Sequence, residues 1–219
     1  MMRVAWLVAR KDLRIETRSR VLLWQVLPFG VIALILSGLA VGPNDEAMRH
    51  AAPGLFYLVI LLVVLFMIGR GQAVESPAGT RTSVAMLGAD PAGIFLGKTL
   101  ALFVELVVTA AVLLTGVVVL LHAPVAGTAS ALPSVLLTLG ALAAGGTLYG
   151  ALVAGADVQA TLLPIIALPP FAGLLIIGEK SFAAAVAGQS SVKWLLFLFV
   201  SLLAYLAVGI LLYGVTEES

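Results

Sequence analysis

Six long apolar runs dominate this sequence and decide its class of fold. A helix that crosses the hydrocarbon core of a bilayer needs about 20 apolar residues. Hydrophobic residues make up 62% of the 219 residues and charged residues only 11%, whereas soluble domains carry about 25% charged residues. We therefore predict an all-α integral membrane protein whose single domain, residues 1–219, contains six transmembrane helices. The predicted spans are 21–41, 53–69, 99–121, 131–154, 161–177 and 194–214.

The distribution of Lys and Arg predicts the orientation of these spans, because cytoplasmic loops carry an excess of both residues. Six basic residues in the N-terminal segment and three between spans 2 and 3 place nine on one side, and three remain for the other. The nine are Arg3, Arg10, Lys11, Arg14, Arg18, Arg20, Arg70, Arg81 and Lys98, and the three are Arg49, Lys180 and Lys193. We predict a multi-pass protein of the plasma (inner) membrane with both termini in the cytoplasm.

The first 20 residues have the pattern of a helix that lies on the membrane surface. Spacings of seven, four and four residues align Arg3, Arg10, Arg14 and Arg18 along one stripe of a helix. Trp6 suits the boundary between water and lipid, where aromatic residues are enriched. We predict an amphipathic interfacial helix in contact with membrane lipids, and the alternative is a basic anchor that only fixes the orientation.

The loop between spans 2 and 3 contains a second predicted helix, over about residues 80–87. Thr80 provides a hydroxyl N-cap for it. An exposed turn that carries Met86 and Leu87 needs an apolar surface to lie against. That surface belongs either to the protein's own helices or to a docked partner.

The order of residues in this loop resembles the coupling element of ABC-2-type permeases, a turn that docks on the ATPase subunit. The residues that carry the resemblance are Glu75, Gly79, Thr80, Met86, Leu87, Pro91, Gly97 and Lys98. The resemblance implies that ATPase coupling depends on Glu75, Gly79, Thr80, Arg81, Met86 and Leu87.

Two further stretches narrow the resemblance to the CcmB family, the haem exporter B subunits of cytochrome c maturation. They are Val41-Gly42-Pro43 with Arg49 and Ala52-Pro53-Gly54, and Leu162-Leu163-Pro164 through Leu168-Pro169 to Leu174-Leu175-Ile176. The family implies an ABC-2-type permease fold and a subunit that couples a partner's ATP hydrolysis to haem export or to release of a haem-loaded chaperone.

The same resemblance implies a set of partners and places the cofactors outside this chain. The expected partners are a CcmA-like ABC ATPase, CcmC- and CcmD-like membrane subunits, a CcmE-like haem chaperone and a possible second copy of the chain. Haem is then the cargo of the pathway, ATP binds to the ATPase subunit, and this chain binds no cofactor of its own.

Two charged residues are predicted inside or next to the third span. Lys98 and Glu105 are seven residues apart and share a helix face, with Glu105 about 10 Å deeper at 1.5 Å per residue. A carboxylate at such a depth is a candidate functional residue. The alternative is that Glu105 faces the bundle interior and is paired near the cytoplasmic end of the span.

Small residues in the fourth span recur at every fourth position, at Gly146, Gly150 and Ala154. Such a row permits close helix approach, either within the chain or between two copies. After the fifth span, the apolar residues 182–187 predict a short re-entrant helix in the outer loop.

Several classes of function are excluded by what the sequence lacks. It has no cysteine and no GxxxxGK[ST] phosphate loop, so we expect neither an enzyme nor a metal site, and ATP hydrolysis must occur on a partner. The net charge of +1 gives no basic field for nucleic acid. Two alternatives remain: an ABC-2-type permease for another cargo, such as a lipid or drug, and a haem-binding membrane protein with His50 and His122 as ligands.

Overall fold

The computed structural model describes residues 1–75, 90–124, 129–153 and 159–217, and these residues form helices and short connections without a β-strand. A π-helical turn, Leu22–Val26, leads directly into α2. The helices are α1 (Met2–Ser19), α2 (Leu27–Val41), α3 (Asp45–Glu75), α4 (Pro91–Leu120), α5 (Leu132–Val153), α6 (Gln159–Val186) and α7 (Val192–Glu217).

Six helices in the described ranges are long and apolar enough to cross a membrane, which confirms the predicted all-helical fold with six spans. Three spans are longer than predicted: they are Asp45–Arg70, Pro91–Leu120 and Leu162–Val186. The helices therefore extend beyond the predicted span boundaries at 53, 99 and 177, which stay predictions for the membrane-embedded part. An apolar run marks the part of a helix that can cross the hydrocarbon core. The helix itself is longer, because its backbone hydrogen bonds continue through more polar residues on either side.

The prediction of a separate re-entrant helix at 182–187 is wrong, because α6 is one continuous helix that ends at Val186. Its apolar residues pack on the bundle instead of dipping into lipid. Ser181 and Phe182 are buried, and the Ser181 hydroxyl oxygen lies 2.6 Å from that of Ser134 on α5. The Phe182 ring meets the Tyr57 ring of α3 edge to face, with 6.2 Å between their centres.

Helix α5 occupies the centre of the bundle because its residues are small. It packs against α3, α4, α6 and α7, and small side chains allow backbones to approach closely. Its fully buried residues include Ala141, Ala143 and Ala144. The peripheral helices are α2 and α7, which expose large apolar side chains suited to lipid: Ile32, Leu36, Leu39, Leu196, Phe197 and Leu211.

Candidate functional site

Helix α1 contacts both helices whose ends flank residues 76–89. The α-amino nitrogen of Met1 is 3.0 Å from Asp90 Oδ2, immediately before α4 begins. Near the other end of α1, Glu16 Oε2 is 3.7 Å from Arg70 Nη1, close to the end of α3. We call this region, made of α1 with the adjoining ends of α3 and α4, the α1 end of the bundle.

Two glycines one helical turn apart allow α1 to dock closely on α4. A Cβ atom placed on Gly97 would lie 2.6 Å from the Ala5 carbonyl oxygen and 2.7 Å from Val8 Cβ. A Cβ atom on Gly93 would lie 2.9 Å from Val4 Cβ. The two backbones therefore approach at distances that no side chain at either position would permit, as in GxxxG helix pairs.

Below this contact, a small apolar core joins α1 and α4 to α5 and α7. Phe95 is completely buried, together with Ile94, and Val4 and Val8 of α1 pack against this cluster. Room for the Phe95 ring comes from Gly209 on α7, where an added Cβ would clash with the ring. Helix α1 is thus packed on the bundle by its apolar face.

Glu16 connects α1 to both neighbouring spans. Arg20 adopts a left-handed conformation (φ 55°, ψ 24°) that ends α1 and turns the chain into α2. The Leu22 N–H, at the start of the π-helical turn, donates to the Glu16 carboxylate. With its ion pair to Arg70, one half-buried carboxylate holds the start of the first span and the end of the second.

The two charged residues predicted near the third span both lie on α4 at the α1 end, and both are half-buried. The Glu105 carboxylate interacts electrostatically with Asp12 and Glu16 of α1 and with Arg70 of α3. Glu105 therefore belongs to a group of three carboxylates and one guanidinium beneath α1. Lys98 lies in the third turn of α4, one residue after the docking glycine Gly97.

Most of the residues predicted to couple to an ATPase lie outside the part of the chain that the structure describes. Glu75 is the last residue of α3, and its side chain is not among those described. Gly79, Thr80, Arg81, Met86 and Leu87 lie outside the described residues, as does the predicted helix at 80–87.

At Gly146, the predicted row of small residues allows close helix packing within the chain. An added Cβ there would lie 2.7 Å from Ile68 Cδ1 on α3 and 3.3 Å from Leu102 Cδ2 on α4. Gly150 is buried in the same helix, and Ala154 lies outside the described residues.

The two histidines lie at the end of the bundle opposite α1. His50 is exposed near the start of α3, and His122 follows α4 with φ 53°. The His122 Nδ1 atom is 3.2 Å from Asp45 Oδ1, and both side chains are more than half exposed. Across the described ranges, no group of three His, Cys, Asp or Glu side chains is placed to hold a metal ion.

Two features of the α1 end were not identified from the sequence. The Gly93-x-x-x-Gly97 spacing was available as a signal of close helix packing, but the predicted boundary at 99 left both glycines in a loop. The role of Glu16 has no signal in the sequence. Its partners, Leu22 and Arg70, are fixed by the tertiary fold and leave no local pattern.

Sequence comparisons find related proteins over most of this chain. It is 29% identical over 208 residues to Heme exporter protein B of Paracoccus denitrificans, with 91% of both chains covered. It is 28% identical over 207 residues to the protein of the same name from Pseudomonas aeruginosa, covering 90% of this chain and 89% of that one. The Rhodobacter capsulatus protein of that name is 29% identical over 170 residues, 78% of both chains.

A family model described as CcmB protein matches residues 3–214. The match includes α1, the six spans and the connections between them. Since it covers nearly the whole sequence, the chain belongs to the CcmB family.

Proposed function

We propose that this chain is the membrane permease subunit of an ABC transporter complex in cytochrome c biogenesis. It couples ATP hydrolysis by a partner ATPase to haem export or to release of a haem-loaded chaperone. The observation that carries the proposal is membership of the CcmB family over residues 3–214, and the relatives are named heme exporters. The sequence has no phosphate loop of its own, so the ATPase is a separate subunit.

The α1 end supplies a physical route for coupling. Residues 76–89, which include the coupling residues Gly79, Thr80, Arg81, Met86 and Leu87, connect the end of α3 to the start of α4. Because α1 is docked on α4 and ion-paired to α3, a push on either helix end also acts on α1. Glu16 then passes the displacement to the first span through the Leu22 N–H.

Affinity purification of the tagged chain in mild detergent tests the assembly, with mass spectrometry of every subunit that co-purifies. We expect a CcmA-like ATPase, CcmC- and CcmD-like membrane subunits and the CcmE-like chaperone, and cross-linking would reveal a second copy of the chain. Recovery of an ATPase without haem-handling subunits would instead favour a permease for another cargo. Recovery of no ATPase from an intact complex would contradict the proposal.

The coupling route is tested by replacing Glu16 with Gln. This change removes the charge that faces Arg70 but keeps an oxygen that can accept the Leu22 N–H. We expect the complex to assemble and to hydrolyse ATP, while formation of c-type cytochromes falls several-fold. Glu46→Gln is the matched control, because Glu46 is exposed at the opposite end of α3. Equal cytochrome formation in both variants would contradict the route through Glu16.

We also propose that the α1 end faces the cytoplasm, with both termini on that side, since nine of the 12 Lys and Arg residues are assigned to it. The chain has no cysteine, so single cysteines can report the topology. Ser19 ends α1 and Ser190 lies in the exposed connection between α6 and α7. In spheroplasts, a membrane-impermeant maleimide should label Ser190→Cys and should label Ser19→Cys only after permeabilisation. The reverse pattern would contradict this orientation.

A further inference from the structure

One side of α1 packs on the bundle, and the other carries large apolar side chains and arginines into the surroundings. Among the apolar residues, Met2 is 87% exposed, Trp6 62% and Leu7 63%. The whole stripe of arginines predicted from the sequence is exposed, and it consists of Arg3, Arg10, Arg14 and Arg18. Exposed apolar and basic side chains on the same helix are typical of helices that bind lipid.

The order of these side chains around the helix separates an apolar flank from a basic stripe. At about 100° per residue, Met2 and Trp6 lie next to buried Ala9, at the edge of the face that packs on α4. Arg10 and Arg3 come next around the helix, followed by the other two arginines with exposed Leu7 between them. The apolar flank is therefore adjacent to the spans, and the basic stripe points away from them.

At the start of α1, the side chains of Met2, Arg3, Trp6 and Leu7 line a shallow, open depression on the helix surface. Its lining combines apolar side chains with one guanidinium group at the start of the basic stripe. A guanidinium binds phosphate through two parallel hydrogen bonds. A phospholipid matches both features, since its acyl chain fits the apolar lining and its phosphate fits the arginine.

The charges of the stripe are not neutralised within the described part of the chain. Its four arginines make no ion pair with the acidic side chains described there. The two acidic residues of α1 are occupied elsewhere, since Asp12 pairs with Lys11 at 3.1 Å and Glu16 with Arg70. The stripe therefore presents uncompensated positive charge to whatever covers it.

The position of α1 favours lipid over a protein as the occupant. The first span begins at Leu22, three residues after the last residue of α1. Helix α1 therefore lies at the level where the chain enters the membrane, and Trp6 is the residue type that concentrates at that boundary. A docking protein would have to compete there with lipid headgroups for the same arginines.

We propose that the exposed face of α1, formed by Met2, Trp6 and the arginine stripe, is a binding site for anionic phospholipid. The lipid headgroup lies on the arginines and its acyl chains lie along Trp6 and Met2. The site selects the charge of the lipid, and it does so independently of the cargo that the complex handles.

The test uses Trp6 as its own reporter in the full chain. Replacing the other two tryptophans, Trp24 and Trp194, with Phe leaves Trp6 as the sole indole. The protein is placed in nanodiscs of phosphatidylcholine and phosphatidylglycerol in which one lipid or the other is brominated at equal mole fraction. We expect brominated phosphatidylglycerol to quench Trp6 more strongly, and we expect the difference to shrink as salt is added.

Removing arginines should lower the preference in steps. A basic residue near an anionic surface contributes about fivefold in affinity, so Arg10→Gln and Arg14→Gln should each reduce the preference for phosphatidylglycerol by about that factor. Arg49→Gln, an exposed arginine at the opposite end of the bundle, should leave it unchanged.

Native mass spectrometry of the wild-type chain gives a second measurement that does not depend on the tryptophan replacements. The wild type should retain phosphatidylglycerol in preference to phosphatidylcholine, and the Arg10→Gln variant should show a preference about fivefold smaller. Equal quenching of Trp6 by the two lipids would overturn the proposal. So would complete protection of Trp6 from both brominated lipids on addition of the ATPase subunit, because the face would then be a protein-docking surface.

Discussion

Replacing Gly97 with Ala tests whether α1 is held by close backbone approach to α4. The new methyl carbon would lie 2.6 Å from the Ala5 carbonyl oxygen and 2.7 Å from Val8 Cβ. Ordinary contacts to a Cβ lie at 3.4–4 Å, so α1 must move outward by nearly 1 Å. Overpacking of this kind costs about 1–3 kcal/mol, and it acts on the docking of α1 because Val8 and the Ala5 backbone belong to that helix.

Hydrogen exchange of the full chain in detergent, followed by mass spectrometry, measures this loss of docking free energy. When opening is fast and reversible, exchange follows the population of the open state, so about 1–3 kcal/mol corresponds to about 5- to 150-fold faster exchange across Met2–Ser19. Peptides from the central helix Leu132–Val153 should exchange as in the wild type.

Gly173→Ala provides the matched control, because Gly173 lies in α6 with nothing within 4 Å of an added Cβ. It makes the same chemical change without a clash and should leave exchange in α1 unchanged. If α1 exchanged at the wild-type rate in Gly97→Ala as well, the close contact with α4 would not be what holds the helix, and the reasoning would be refuted.

Two further substitutions test the packing of the bundle by its resistance to denaturation in detergent. Phe95→Ala empties a fully buried site and should destabilise the fold by about 3–5 kcal/mol, whereas Phe197→Ala, at a position 58% exposed, should have a much smaller effect; similar losses would contradict the assigned core. Gly178→Ala would place a methyl carbon 2.7 Å from Thr138 Oγ1 and 3.0 Å from Tyr57 Cζ. It should cost about 1–3 kcal/mol, and unchanged stability would mean that α6 is not tightly packed there.

The number of spans was predictable because lipid imposes a simple requirement on the sequence. Each crossing helix must be apolar over about 20 residues, and that requirement is visible without any knowledge of neighbours. The ends of the spans were less predictable. Asp45 and Glu46 form the first turn of α3 and precede its apolar run. Acidic residues at this position suit the positive end of the helix dipole.

The arrangement of the α1 end was only partly predictable, for a different physical reason. The amphipathic pattern of residues 3–20 correctly predicts a helix with exposed arginines. Its docking depends on which helix lies opposite, and hydropathy contains no information about helix pairing. Gly97 is part of the family resemblance in the sequence, whereas its steric role depends on the contacts with Ala5 and Val8 in the folded protein.

The contacts of α1 with its neighbours differ in kind, and this difference determines how a displacement can pass through them. Its contact with α4 is close packing of the α1 backbone on Gly97. The two helices cannot move closer without a clash, and they lose apolar contacts if they separate. Among the described side chains, its contact with α3 includes the Glu16–Arg70 ion pair at 3.7 Å, whose attraction falls only gradually with distance. Helix α1 is therefore coupled tightly to α4 and more weakly to α3, so a displacement of either helix reaches α1 but a displacement of α4 does so more fully. In hydrogen exchange, Gly97→Ala should accordingly affect all of α1, whereas Glu16→Gln should affect the end of α3 and the start of α2.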